Sequence, residues 1–191
     1  MKLIAKTACA AASLAVAFLL CSNAAPLSAK VSVVQSGSPV LMPGAAYSWS
    51  GGNEASVAGV DPAIANPIAG QRLRAAIELS LASKGFRRVD DPAAASLMVS
   101  YHVALTPEKE AKVSVRGGPL CGFRGCIVSG RDVDVTQSSY TAGLLVLDIV
   151  DPRTGQLVWR ATSDKRVDAK DVTQEKLNAL LRSMTKTLPS I

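Results

Sequence analysis

Aromatic side chains are scarce: two Trp, three Tyr and three Phe in 191 residues. A surface that stacks nucleic-acid bases needs more of them, set in a concentrated basic stripe. The net charge of +6 is spread evenly along the chain, so nucleic acid is excluded as a partner. Histidine is scarcer still, with His102 alone. The chain has neither a Gly-x-Ser-x-Gly elbow nor a His-Glu-x-x-His helix, which removes the common serine-hydrolase and zinc-protease signatures. No catalytic constellation, cofactor or metal site is expected, and the chain reads as a non-enzyme. No apolar run reaches the roughly 20 residues that a membrane-spanning helix needs.

What is present begins with an export segment. Lys2 and Lys6 precede an apolar stretch from Ala8 to Leu20, and small residues follow at Ala24 and Ala29. Residues 1–29 therefore read as a signal peptide, cleaved after Ala24 or Ala29. Cys21 just behind the apolar core offers a second outcome, cleavage before it and lipidation, although Leu20 is larger than the residue a lipoprotein signal places there. The expected location is the periplasm, or the inner face of the outer membrane if Cys21 carries lipid. The membrane is then a partner only through that anchor.

Cys9 and Cys21 leave with a cleaved signal, and Cys121 and Cys126 remain in Cys-Gly-Phe-Arg-Gly-Cys. In an oxidising compartment this pair reads as a disulfide. A thioredoxin-type site needs Cys-x-x-Cys, and zinc would need two further ligands. Phe123 and Arg124 lie inside the ring the disulfide would close. Both are residue types enriched at interfaces, so they are the candidate partner-binding loop; a stapled surface loop without a partner is the plain alternative.

The hairpin Tyr140 to Ala161 organises the rest. Leu144 to Val150 is apolar on both sides except at Asp148, so it should be a central strand. Asp151-Pro152-Arg153-Thr154-Gly155 supplies turn chemistry, and Leu157, Val158 and Trp159 return antiparallel. Upstream, Val31, Val33 and Val34 suit an edge strand, Ala46 to Ser50 a short strand, and Gly51 to Asp61 a loop. Asn66 and Pro67 start a helix that Gly85 and Phe86 end, with Leu73, Ala76, Ile77 and Leu81 on one face. Leu97, Val99, Tyr101 and Val103 alternate as a strand, on which His102 faces polar groups or solvent; one histidine without convergent groups does not make a catalytic site. Residues 106–139 read as irregular. Pro107 to Glu110 is a polar turn, while Lys112 to Arg116 and Asp132 to Thr136 are hairpin arms with the cysteine loop near their tip. Asp132 and Asp134 share a strand face but lack a calcium loop. Asp171 with Gln174 suggests a capping box before a helix carrying Leu177, Leu180, Leu181, Met184 and Leu188.

These elements predict one α+β domain over residues 30–191: a mostly antiparallel sheet of about four to six strands with two helices packed on one face. The other face, apolar in part, needs loops or a second copy to cover it, which makes a homo-oligomer one expectation.

An ordered set of residues also resembles a family of bacterial envelope lipoproteins whose shared domain carries only an unknown-function label. The matching stretches are Tyr47-Ser48-Trp49, Ile77 through Leu81 to Lys84-Gly85-Phe86, Leu97 to His102, Gly143 to Asp148, and Asp151 through Thr154-Gly155 to Leu157-Val158-Trp159-Arg160. They span roughly residues 31 to 190. The resemblance implies an α+β envelope domain, often lipid-anchored, without established catalytic residues. Leu20 departs from the lipoprotein pattern, and the cysteine loop is a local elaboration. The expected function is a non-catalytic binding or assembly factor whose partner is an envelope protein, lipid or glycan. The rivals are a lipid-anchored structural tether and, behind it, a periplasmic hydrolase.

Overall fold

Leu97, Val99, Leu147, Ile149, Trp159 and Ala161 share one face of a sheet and are sealed from water beneath two helices. The structure is a computed structural model that describes residues 29–36, 44–51, 55, 56, 59–116, 119–128 and 132–189. Among these, the side chains of 55, 56, 115, 119–121, 126–128 and 132 are not described. Residues 1–28, with Cys21 and Ala24, lie outside the described residues.

In chain order the elements are β1 (Lys30–Gln35), β2 (Ala46–Trp49), β3 (Ala55–Ser56), α1 (Pro67–Ser83), β4 (Arg87–Arg88), β5 (Leu97–Arg116), β6 (Pro119–Gly122), β7 (Gly125–Val128), β8 (Asp132–Val150), β9 (Leu157–Val167) and α2 (Gln174–Met184). The main sheet runs β1-β9-β8-β5-β2-β4, and the two-residue β3 adds to β5 beyond β2, giving seven strands. Pairs from β1 through β5 are antiparallel, whereas β2, β3 and β4 pair parallel. The class is α+β with a mostly antiparallel sheet and two helices, as the alternation and the helical spacing imply.

The apolar run of β8 is indeed central, flanked by β5 and β9. The turn after it forms as its composition requires. Asp151 accepts from the Arg153 N–H through Oδ1 at 2.9 Å, and Gly155, at φ +68°, donates to the Asp151 carbonyl at 2.8 Å. Helix α1 starts at Asn66, whose Oδ1 accepts from the Ala69 N–H at 2.9 Å. It ends where Gly85, at φ +91°, lets the Phe86 N–H reach the Leu81 carbonyl. Leu73, Ile77 and Leu81 are buried under it, each contributing about 1.5–3 kcal/mol against exposure.

Four expectations need correction. Residues 106–116 and 132–139 are not irregular: β5 and β8 stay in register from Met98↔Val150 to Arg116↔Asp132. Pro107 does not turn the chain but lies within β5, opposite Thr141. Past β3 no strand among the described residues pairs with the outer edge of β5, and an edge tolerates the missing N–H of proline. The loop expected over 51–61 contains β3, a strand too short to carry a period of its own. Asp171 does not cap α2. Thr173 holds the cap position without a side-chain bond, and Asp171 instead accepts from Lys165 Nζ and the Asp168 N–H.

Candidate functional site

Beyond its last contact with β9, at Thr141↔Val167, the β5–β8 pair leaves the body as a two-stranded ribbon. From Glu108↔Tyr140 to Arg116↔Asp132 it extends about 30 Å at ~3.4 Å per residue. Its root is pinned by Arg166, which stacks on the Tyr140 ring at 3.9 Å and bonds Glu110 at 2.8 Å.

The ribbon has two chemically distinct faces, because side chains alternate along each strand. Val113 opposes Val135, with Ala111 and Val133 on the same side. Lys112, Thr136, Ser114 and Asp134 occupy the other. Val113, Val133 and Val135 are all more than half exposed. An isolated two-stranded ribbon is marginal in water, so cross-strand contacts such as Val113–Val135 hold the register at about 0.2–1 kcal/mol each.

The small β6–β7 hairpin carries the candidate loop. Gly122 pairs with Gly125, leaving Phe123 and Arg124 as the two turn residues. Gly125 takes φ +110°, which glycine adopts without a Cβ clash. Phe123 is fully exposed and Arg124 is exposed. The backbones of Cys121 and Cys126 stand opposite each other; their side chains lie outside the described residues.

On the helix-free face of the sheet, His102 is exposed opposite Val146. On the next strand, β8, Asp148 is buried, although it interrupts the apolar run, because Arg160 on β9 covers and pairs with it. The hydrogen bonds and charge of Asp148 push the Arg160 guanidinium further above its ordinary range. Among the described residues no three His, Cys, Asp or Glu side chains converge to hold a metal ion. Among them, no helix is long and apolar enough to cross a membrane.

On the opposite face, at the root of the ribbon, the sheet and both helices flank an open-sided cavity of about 360 Å³. Leu73 from α1, Val103 and Leu105 from β5, Leu145 from β8, and Leu177 and Leu180 from α2 form its walls. Ser163 and Lys165 of β9 and Asp171 supply polar atoms. Sequence reasoning passed over Ser163 and Lys165 and read Asp171 as a helix cap. The available signal was the inward set Trp159, Ala161, Ser163, Lys165 and Val167, which turns from apolar to polar partway along the strand.

Residues 42–190 match the model of a family described as a domain of unknown function, DUF4136. Among solved structures, the PelC dodecamer from Paraburkholderia phytofirmans aligns at 14% identity over 86% of this chain and 99% of that one, with a TM-score of 0.49. A PDZ domain protein from Parabacteroides distasonis aligns at 12% identity over 85% and 36%, with a TM-score of 0.49. A neuraminyllactose-binding hemagglutinin homolog from Helicobacter pylori aligns at 11% identity over 77% and 85%, with a TM-score of 0.41. No curated protein matches the chain.

Proposed function

The chain belongs to the DUF4136 domain family, and we propose that this member is a non-catalytic binding or assembly factor of the bacterial envelope, exported by residues 1–29. The observation that carries the reading is the placement of Phe123 and Arg124. They occupy a glycine-flanked turn, with Phe123 fully exposed, and fall in sequence between the two arms of a ribbon that leaves the body. A large aromatic held in water is costly unless a surface receives it, and Phe and Arg are favoured interface anchors. A protein of the envelope is the partner this tip suits.

The test is capture from native envelopes with full-chain bait. Phe123→Ala and Arg124→Ala should lose the captured partner and keep the wild-type melting temperature. Unchanged capture removes the tip from the reading. The intact mass of native material locates the protein: a start at Ala25 or Lys30 means a free periplasmic domain, and a start at Cys21 plus lipid means a membrane-tethered one.

Self-association is supported by a separate surface. Val34 and Leu144 are exposed on the helix-free face at 62% and 41%, and a second copy would cover them. A strict monomer in sedimentation at micromolar concentration ends that reading.

A further inference from the structure

We propose that the cavity at the root of the ribbon binds a single-chain amphiphile, a fatty acid or monoacyl lipid, whose carbonyl oxygen accepts from the Ser163 hydroxyl. The site lies on the body, apart from the Phe123 tip, so either assignment can fail without the other.

The first support is the volume together with the wall chemistry. About 360 Å³ falls within the range of small-molecule pockets. Leu73, Val103, Leu105, Leu145, Leu177 and Leu180 give it an almost wholly apolar wall. An aliphatic chain laid against that wall returns its water to the solvent, which is the favourable exchange.

The second support is the hydroxyl itself. Ser163 is 1% exposed and lines the cavity, and its Oγ has no hydrogen-bond partner. Native proteins rarely leave such a group unpaired. A serine hydroxyl in an aliphatic wall suits a ligand that is apolar along most of its length and bears one acceptor.

The third support orients the ligand. Lys165 is the next residue of β9 on the same face, about 7 Å along the strand from Ser163. Its ammonium is paired with Asp171, and both side chains remain partly exposed at 21% and 25%. An acyl carbonyl at Ser163 would put the acidic or ester end of the ligand beside this cation and the chain against the leucines.

The test is a fluorescence titration of the full chain with cis-parinaric acid, followed by displacement with palmitate. Wild type should bind saturably, one probe per chain, and palmitate should compete. Leu180→Trp projects into the cavity from a half-buried position and should weaken both ligands at least about tenfold. Leu180→Phe is a smaller filler that serves if the tryptophan variant melts without cooperativity. Ser163→Ala should weaken palmitate about three- to tenfold, the worth of one neutral hydrogen bond, and raise the melting temperature by deleting an unpaired hydroxyl. That opposition of affinity and stability is what a purely structural serine would not produce. Absence of saturable binding overturns the site, as does wild-type affinity in a folded cavity-filled variant. Unchanged palmitate affinity in Ser163→Ala overturns the carbonyl assignment.

Discussion

Arg160 grips Asp148 with two parallel hydrogen bonds across adjacent strands, Nε to Oδ1 and Nη2 to Oδ2, both 2.6 Å. The two residues are direct register partners. The carboxylate is nearly closed off at 8% side-chain exposure, and the guanidinium is half in water at 46%. Arg160→Ala strips the cover from a buried charge and should cost about 1–3 kcal/mol, below the full buried-pair penalty because solvent screens the outer partner. Asp148→Asn keeps the shape and should cost less. A double-mutant cycle in urea measures the coupling; a coupling near zero would mean that the pair is decorative.

Gly143 and Val167 are too close for any other residue at the first position. A Cβ on Gly143 would stand 2.3 Å from Val167 Cγ2 and 3.3 Å from Leu105 Cδ2. Gly143→Ala should therefore destabilise by about 1–3 kcal/mol, as overpacking does. Val167→Ala removes the obstructing methyl, so the double variant should be more stable than the two single costs added together. Simple additivity in chemical denaturation would count against this contact.

Burial, reinforced by the charge of Glu78, pushes the Tyr47 phenol up to about 12, against about 10 in an unfolded chain. The unfolded state thus loses this proton first. The contribution of Tyr47 to stability is intact below pH ~10 and drains away as the pH rises through about 12. Thermal melts across that window should show a falling midpoint, flatter in Tyr47→Phe. An identical slope in the two proteins would remove Tyr47 as the source.

The cysteines at the tip should be joined. With a two-residue turn, Gly122 and Gly125 take the hydrogen-bonded place, and Cys121 and Cys126 fall in the next, closer pair. Its Cα separation, about 4.5 Å, is within what a disulfide accepts. Unreduced protein should weigh about 2 Da less than its all-thiol form, the two hydrogens lost as the sulfurs join. Replacing both cysteines by serine should leave the main melting transition unmoved, since β6 and β7 pair as a two-stranded sheet separate from the main one. A shifted transition would tie the tip to the body.

How legible this molecule was depends on the range of each signal. Helix α1 could be read from Asn66, Pro67 and Gly85 because capping is local, and β8 from its apolar run because a strand apolar on both sides marks a central position without reference to its partners. Phe123 and Arg124 were placed on an exposed turn by the glycines and cysteines around them. The ribbon was read only at its outer arms, because Pro107, Glu108 and Lys109 carry turn-like composition while their strand state comes from β8. The Asp171 carboxylate looked like a cap until Lys165, six residues away, claimed it. Asp148 gave no hint of its partner on the next strand. The cavity was invisible for the same reason: its walls come from five separate elements.

The unbroken ladder from Met98 to Arg116 makes the ribbon a counted object. Removing one residue from each strand near the root would turn Val113 and Val135 to the side now held by Lys112 and Thr136. Removing two from each would restore the sides and shorten the ribbon by about 7 Å. Reach and facing are therefore locked together. The ribbon can be made longer or shorter without changing what it presents only in even steps.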